Sequence, residues 1–174
     1  MAQHRSFLDA LHADGPAADR ADPMALYGWL IGDWEMDAVI HAPDGSKRTG
    51  HGEIHFAWVL EGRAIQDVWI LPGGFYGSTL RVYDPGLDAW HILWSDPTKQ
   101  YYARQLGRCL GKDIVQEGTS SAGDMTRWKF TDITPDSFLW LGEHSLDDGR
   151  SWQLQAEFRA RRIGQDIRKE VNRV

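Results

Sequence analysis

From residue 33 to residue 162, large apolar and polar side chains alternate in runs of about 6–12 residues rich in β-branched and aromatic types. One face of such a run carries Ile54, Phe56, Trp58 and Leu60, while the other carries Glu53 and His55. A period of two is the signature of a strand with one face buried. The runs are separated by turn chemistry at Pro43-Asp44-Gly45-Ser46, Glu61-Gly62, Pro72-Gly73-Gly74, Asp84-Pro85-Gly86, residues 107–111 and 118–123, Thr134-Pro135-Asp136 and Asp147-Asp148-Gly149. Counting between these signals predicts nine or ten strands with no long helix among them. Strands without crossover helices must be antiparallel neighbours, and so many close most simply as an up-and-down β-barrel.

Upstream the period changes. Met24, Leu26, Tyr27, Leu30 and Ile31 approximate a helical stripe ended by Gly32, which predicts a short helix over residues 24–31 plugging one end of the barrel. Residues 6–13 suit a short helix, and 14–23, rich in Ala, Asp, Gly and Pro, read as a linker. The expected organisation is a helix and linker over 1–23, a barrel domain over 24–163 and a tail over 164–174.

Turn length fixes register, and register fixes which side chains face inward. A two-residue Glu61-Gly62 loop pairs Leu60 with Arg63, Trp58 with Ile65, Phe56 with Asp67 and Ile54 with Trp69. A four-residue loop over 85–88 pairs Tyr83 with Trp90, Arg81 with Ile92 and Thr79 with Trp94. Both faces are otherwise apolar, so Asp67, Arg81 and Tyr83 are expected inside the barrel. A buried arginine needs a carboxylate, and Asp67 on the adjacent strand is the nearest candidate. A turn centred between Pro135 and Asp136 gathers Trp128, Phe130, Leu139, Leu141 and Glu143 inward, with Trp152, Leu154, Ala156 and Phe158 joining them. A three-residue loop over 147–149 would instead turn His144 inward. The preferred register exposes Phe138 and Trp140 together, a patch that suggests a homodimer.

Composition narrows the partners. A chain of 174 residues is one ordinary domain, and its net charge of −6, with no Lys/Arg-rich run, argues against nucleic acid. No stretch approaches the length of a membrane span, and residues 1–11 lack the order of a secretory signal. With a single cysteine, Cys109, a reducing cytoplasmic location is the default expectation. No motif or basic cluster surrounds Cys109, which lacks a marked histidine partner and reads as a barrel-wall residue. None of the histidines, His4, His12, His41, His51, His55, His91 and His144, stands at metal-ligand spacing on a helix, so no metal is expected. Gly73-Gly74 joins strand to strand and is a turn rather than a phosphate loop.

Gly32-Asp33-Trp34, placed after a short helix at the first strand, resembles the G-x-W signature of the calycin superfamily of lipocalins and fatty-acid-binding proteins. The resemblance implies that Trp34 meets an arginine near the end of the last strand, and parity with Trp152 and Phe158 selects Arg162 over Arg159 and Arg161. Leu60-Glu61-Gly62-Arg63 and Arg81-Val82-Tyr83-Asp84 extend the likeness to the uncharacterised bacterial lipocalin-like proteins of the DUF1579 type. Haem-binding nitrobindin relatives would require glycines at Met36 and Ala38, so haem stays unsupported and no cofactor is expected.

Nine tryptophans either fill a wide barrel or wall a cavity inside it. The cavity reading makes Trp58, Trp69, Trp94 and Trp128 walls, with Asp67, Arg81, Tyr83 and Glu143 as a polar anchor. It implies binding of a small hydrophobic or aromatic, acidic molecule. The alternative is a cofactor-free lyase, isomerase or cyclase in which Glu143, Asp67 or Tyr83 moves a proton, resembling phenolic acid decarboxylases only in fold. A third class is a barrel packed solid, with the polar set as a purely structural network.

Overall fold

The computed structural model describes residues 5–164; His4 and the expected tail from residue 165 onward lie outside them. Ten antiparallel strands close into a single barrel. They are β1 (Gly32–His41), β2 (Lys47–Val59), β3 (Ala64–Leu71), β4 (Phe75–Asp84), β5 (Ala89–Asp96), β6 (Tyr101–Leu110), β7 (Asp113–Ser120), β8 (Met125–Thr131), β9 (Ser137–Ser145) and β10 (Gln153–Arg162). Each strand pairs with its neighbours in sequence, and β10 pairs with β1 to complete the ring.

The β2–β3 and β4–β5 registers are those the turns imply: Phe56 opposes Asp67, Ile54 opposes Trp69, Arg81 opposes Ile92 and Tyr83 opposes Trp90. The β8–β9 register differs from the expected one by a single residue. Trp128 opposes Gly142 and Phe130 opposes Trp140, because the connection is centred on Pro135 itself. A one-residue slip reverses a whole strand. Phe138, Trp140 and Gly142 are therefore inside, and Leu139, Leu141 and Glu143 are outside. The exposed patch from which a homodimer was expected does not exist, since Phe138 and Trp140 are buried.

In β10 a bulge at Gln155 shifts the pairing from Leu154–Glu143 to Ala156–Gly142. It offsets the slip in β9, so Ala156, Phe158 and Ala160 still point inward. Leu154 does not, and Trp152 sits on the outside, beneath the Arg127 guanidinium at 4.2 Å.

Two short helices precede the barrel, α1 (Phe7–Leu11) and α2 (Ala21–Gly28), with a single 3-10 turn at Ala18–Arg20 between them. Ser6 caps α1, accepting from the Asp9 amide. Helix α2 starts three residues before the expected position because Pro23 lies in its first turn, where a missing N–H costs nothing. The segment between the helices follows the β2–β3 hairpin: the Ala13 amide donates to the Trp58 carbonyl and the Ala17 amide to that of Gly62. No helix among the described residues is long and apolar enough to cross a membrane.

Helix α2 closes one end of the barrel by inserting Met24 and Tyr27, followed by Leu30, all fully buried. What fixes it is an arginine from the far end of the chain. Arg162 donates through Nη2 to the Trp29 carbonyl at 2.6 Å, through Nη1 to that of Ile31 at 2.8 Å and through Nε to that of Pro135 at 3.0 Å. Its guanidinium also lies 4.1 Å from the centroid of the fully buried Trp34 ring, whose Nε1 donates to the Leu30 carbonyl at 2.7 Å. Carbonyls at a helix end need such donors, and here one side chain supplies two while its third bond ties down the β8–β9 connection at Pro135. Among the three terminal arginines, the one chosen by strand parity is the one that lies beneath the tryptophan.

Trp34→Ala is expected to cost about 3–5 kcal/mol in urea unfolding, by cavity formation under the plug. Arg162→Met, which keeps an apolar stem but orphans the carbonyls, should cost about 1–3 kcal/mol. Unchanged unfolding midpoints for both would remove this contact from the account of stability.

Candidate functional site

Ten strands enclose more space than side chains of the wall fill. The helix and the residues over it occupy the plugged half; the other half holds a cavity of about 300 Å³. Its walls are aromatic, with Trp69, Phe75, Trp94, Trp128, Trp140 and Phe158 contributed by strands all round the barrel. The cavity opens opposite α2, where Lys99 in the β5–β6 turn lies at the rim with its Nζ 5.9 Å from the Phe75 ring.

The floor is polar and carries one buried charge pair. Arg81 is 1% exposed, and its Nη1 donates to Asp67 Oδ2. The other carboxylate oxygen of Asp67 accepts from the Thr79 amide at 2.7 Å. Three rings hold the guanidinium, those of Tyr27, Phe56 and Phe130 at 5.4, 5.5 and 6.0 Å. Arg81 Nε is buried without a hydrogen-bond partner among the described residues. A buried arginine with an unused donor is a costly arrangement unless something else meets it.

Beside Arg81 runs a chain of neutral groups. The Tyr27 hydroxyl donates to Gln116 Oε1 at 3.1 Å, Gln116 Nε2 to Gln105 Oε1 at 3.4 Å, and Gln105 Nε2 to Thr126 Oγ1 at 2.7 Å. Burial pushes the Tyr27 phenol well above its ordinary value, against the opposing pull of Arg81, so it stays a neutral donor. Tyr27 approaches this closely because Gly107 opposes it in β6, where a Cβ would run into the hydroxyl.

Of the residues singled out from sequence, Asp67, Arg81, Trp69, Trp94 and Trp128 meet in or beneath the cavity. Tyr83, Glu143 and Trp58 do not. Tyr83 has the inward parity of Arg81 but lies two residues, or about 7 Å, nearer the plugged end. Its hydroxyl donates to Asp88 Oδ1 at 2.9 Å, and it borders a separate hollow beside α2. Trp58 is displaced in the same direction, with its ring against Gly28 of α2. Glu143 points outward and accepts from Arg127 Nε at 2.8 Å, so the inward residue of that pair is His144, whose Nδ1 is buried without a partner among the described residues.

Sequence reasoning missed Gln105, Gln116 and Trp140. The first two follow from a β6–β7 turn at Gly111-Lys112, which the glycines at 107 and 118 obscured: both lie within strands. Cys109 is exposed, outside the lined cavity. Among the described residues, no group of three His, Cys, Asp or Glu side chains is placed to hold a metal ion. Histidines of the outer wall pair with carboxylates: His55 Nδ1 with Asp33 at 2.7 Å and its Nε2 with Glu53 at 3.6 Å, and His41 Nε2 with Glu157 at 2.8 Å.

No protein-family model matches the chain, and no curated protein matches it. Solved structures share its fold. The S-type phycobiliprotein lyase CPES from Guillardia theta is 12% identical, with a TM-score of 0.61 over 86% of this chain and 99% of its own. Rv2717c from M. tuberculosis is 13% identical, with a TM-score of 0.56 over the same shares. At such identities the likeness concerns the calycin-like barrel alone.

Removing Arg81 by itself strands the Asp67 charge in the core. Arg81→Ala is therefore expected to cost about 3–5 kcal/mol, and the neutral pair Asp67→Asn/Arg81→Met distinctly less; equal costs in urea unfolding would show that the two are uncoupled. The raised pKa of Tyr27 gives a second expectation. Its contribution is complete below the unfolded value near pH 10 and falls as pH rises towards the folded value, so Tyr27→Phe should flatten the loss of stability above about pH 10. Parallel pH profiles for the two proteins would contradict it.

Proposed function

We propose that this protein binds a small hydrophobic or aromatic acid inside the barrel, with the acid group directed to Arg81. The observation that carries the reading is an aromatic-walled cavity of about 300 Å³ that has the buried guanidinium residue Arg81 in its lining. A ligand carboxylate would find its charge partner in this guanidinium, and the amides of Gln105 and Gln116 line the same cavity as further donors. Apolar walls with a few convergent polar groups are what small-molecule sites are made of. The barrel of the phycobiliprotein lyase is a fold-level parallel, consistent with a small molecule in the lumen. Within that fold, the Gly32-Asp33-Trp34 start and the Arg162 contact favour placement with the lipocalin-like bacterial proteins of the DUF1579 type.

The solid-barrel alternative is disfavoured by the void. The lyase, isomerase or cyclase alternative needs a carboxylate free to move a proton, but Glu143 is outside and both oxygens of Asp67 are engaged.

The test is titration with 2-naphthoate, followed by tryptophan fluorescence. Saturable quenching is expected in the unaltered protein. In Asp67→Asn/Arg81→Met, which loses the guanidinium but no net charge, affinity should fall about tenfold or more, the worth of a charge-assisted hydrogen bond. Equal affinity in the two proteins would overturn the anchor.

A further inference from the structure

Two glycines on the inner wall decide the shape of the cavity. Gly142 in β9 is the cross-strand partner of Trp128, and a Cβ built there would run into the outer edge of the Trp128 ring. Gly77 in β4 has the inward parity of Thr79 and Arg81, and a Cβ there would run into the same edge of Trp94 and into the Ser95 carbonyl. Each indole thus lies across the bare backbone of the neighbouring strand. Any larger residue at Gly142 would force the Trp128 ring off the wall and into the lumen, because an indole is rigid beyond its second torsion; at Gly77 it would displace the Trp94 ring and also press on the β5 backbone at Ser95.

Both indoles line the cavity. Trp128 is nearly parallel to Phe158, at 10° between planes and 5.9 Å between centroids, and to Trp140, at 22° and 5.2 Å. Trp94 faces the lumen from β5, edge-on to Phe75 at 84°. Three nearly parallel rings make a stack at one side of the cavity, which a flat molecule can extend. Aromatic pairs gain more than their area alone provides only when ring geometry is met. A puckered or flexible hydrocarbon of the same size buries its surface here without that gain.

Resting on the reading that Arg81 anchors an acid, we infer that the site selects planar aromatic acids over saturated ones. Gly77 and Gly142 are its specificity-determining residues, acting by holding Trp94 and Trp128 against the barrel wall.

The experiment compares 2-naphthoate with decahydro-2-naphthoate, which has the same carbon skeleton and carboxylate but puckered rings. Titration calorimetry on the unaltered protein should give at least about tenfold tighter binding of the planar acid, the worth of two stacking contacts. Gly77→Ala and Gly142→Ala should each weaken naphthoate at least about tenfold, while far-UV circular dichroism still reports a β-barrel. In Gly142→Ala/Trp128→Leu, where no indole is displaced, the cavity is again open; both acids should bind with little preference between them. Equal affinity of the unaltered protein for the two acids overturns the inference and leaves the Arg81 anchor standing, and this comparison requires no variant to fold. Glycine variants that fold and bind naphthoate undiminished overturn it too. Failure of both acids to bind the unaltered protein overturns the anchoring reading on which the inference rests.

Discussion

A guanidinium held among three aromatic rings, with one carboxylate beside it, divides the interior of this barrel. Below Arg81 the lumen is filled by Tyr27, Met24 and Leu30 from the plug and by Phe56 and Phe130 from the wall. Above it the same wall leaves a void. A buried charge tolerates little freedom, since its partner and its rings must all be in place before desolvation is offset. Asp67 is set by the Thr79 amide across the sheet, Arg81 by its pairing with Ile92, and Tyr27 by the helix. The position of the floor is thus tied to the register of β3, β4 and β5 and to the seating of α2.

That seating depends on the opposite end of the chain. Arg162 can satisfy carbonyls of Trp29 and Ile31 only if β10 lies against β1, so barrel closure and helix docking are one event rather than two. The long-range pairing of first and last strands is expensive in chain entropy. Here it is coupled to burial of Trp34 and to three charge-assisted hydrogen bonds.

How much of this was legible depended on the turns. Where a loop had an unambiguous length, as at 61–62 and 85–88, parity alone put Asp67 opposite Phe56 and Arg81 opposite Ile92. Parity reports a face, however, and says nothing of depth: Tyr83 and Trp58 face inward or towards the plug from positions too near α2 to reach the cavity. The odd-membered connection at Pro135 reversed β9 and sent Glu143 outside, although the alternation of Phe138 and Trp140 with Leu139 and Leu141 was itself ambiguous, both sets being apolar. The bulge at Gln155 had no sequence signal, and because it offset the earlier slip it preserved Phe158 for a reason that the sequence did not contain. Gly107 and Gly118 looked like turn residues and are strand residues, one of them making room for the hydroxyl of Tyr27.

The two ends of the barrel also divide its labour. Connections 42–46, 72–74, 97–100, 121–124 and 146–152 ring the mouth, while the plug, Trp34 and Arg162 lie at the far end of the strands. Substitutions separated by that distance, with no shared partner, act nearly independently. The mouth can therefore drift in length and sequence, acquiring or losing affinity for a given guest, without drawing on the contacts that keep the cylinder closed. In evolutionary terms the barrel is a vessel whose lip is free to vary because its base is sealed by residues that never meet the contents.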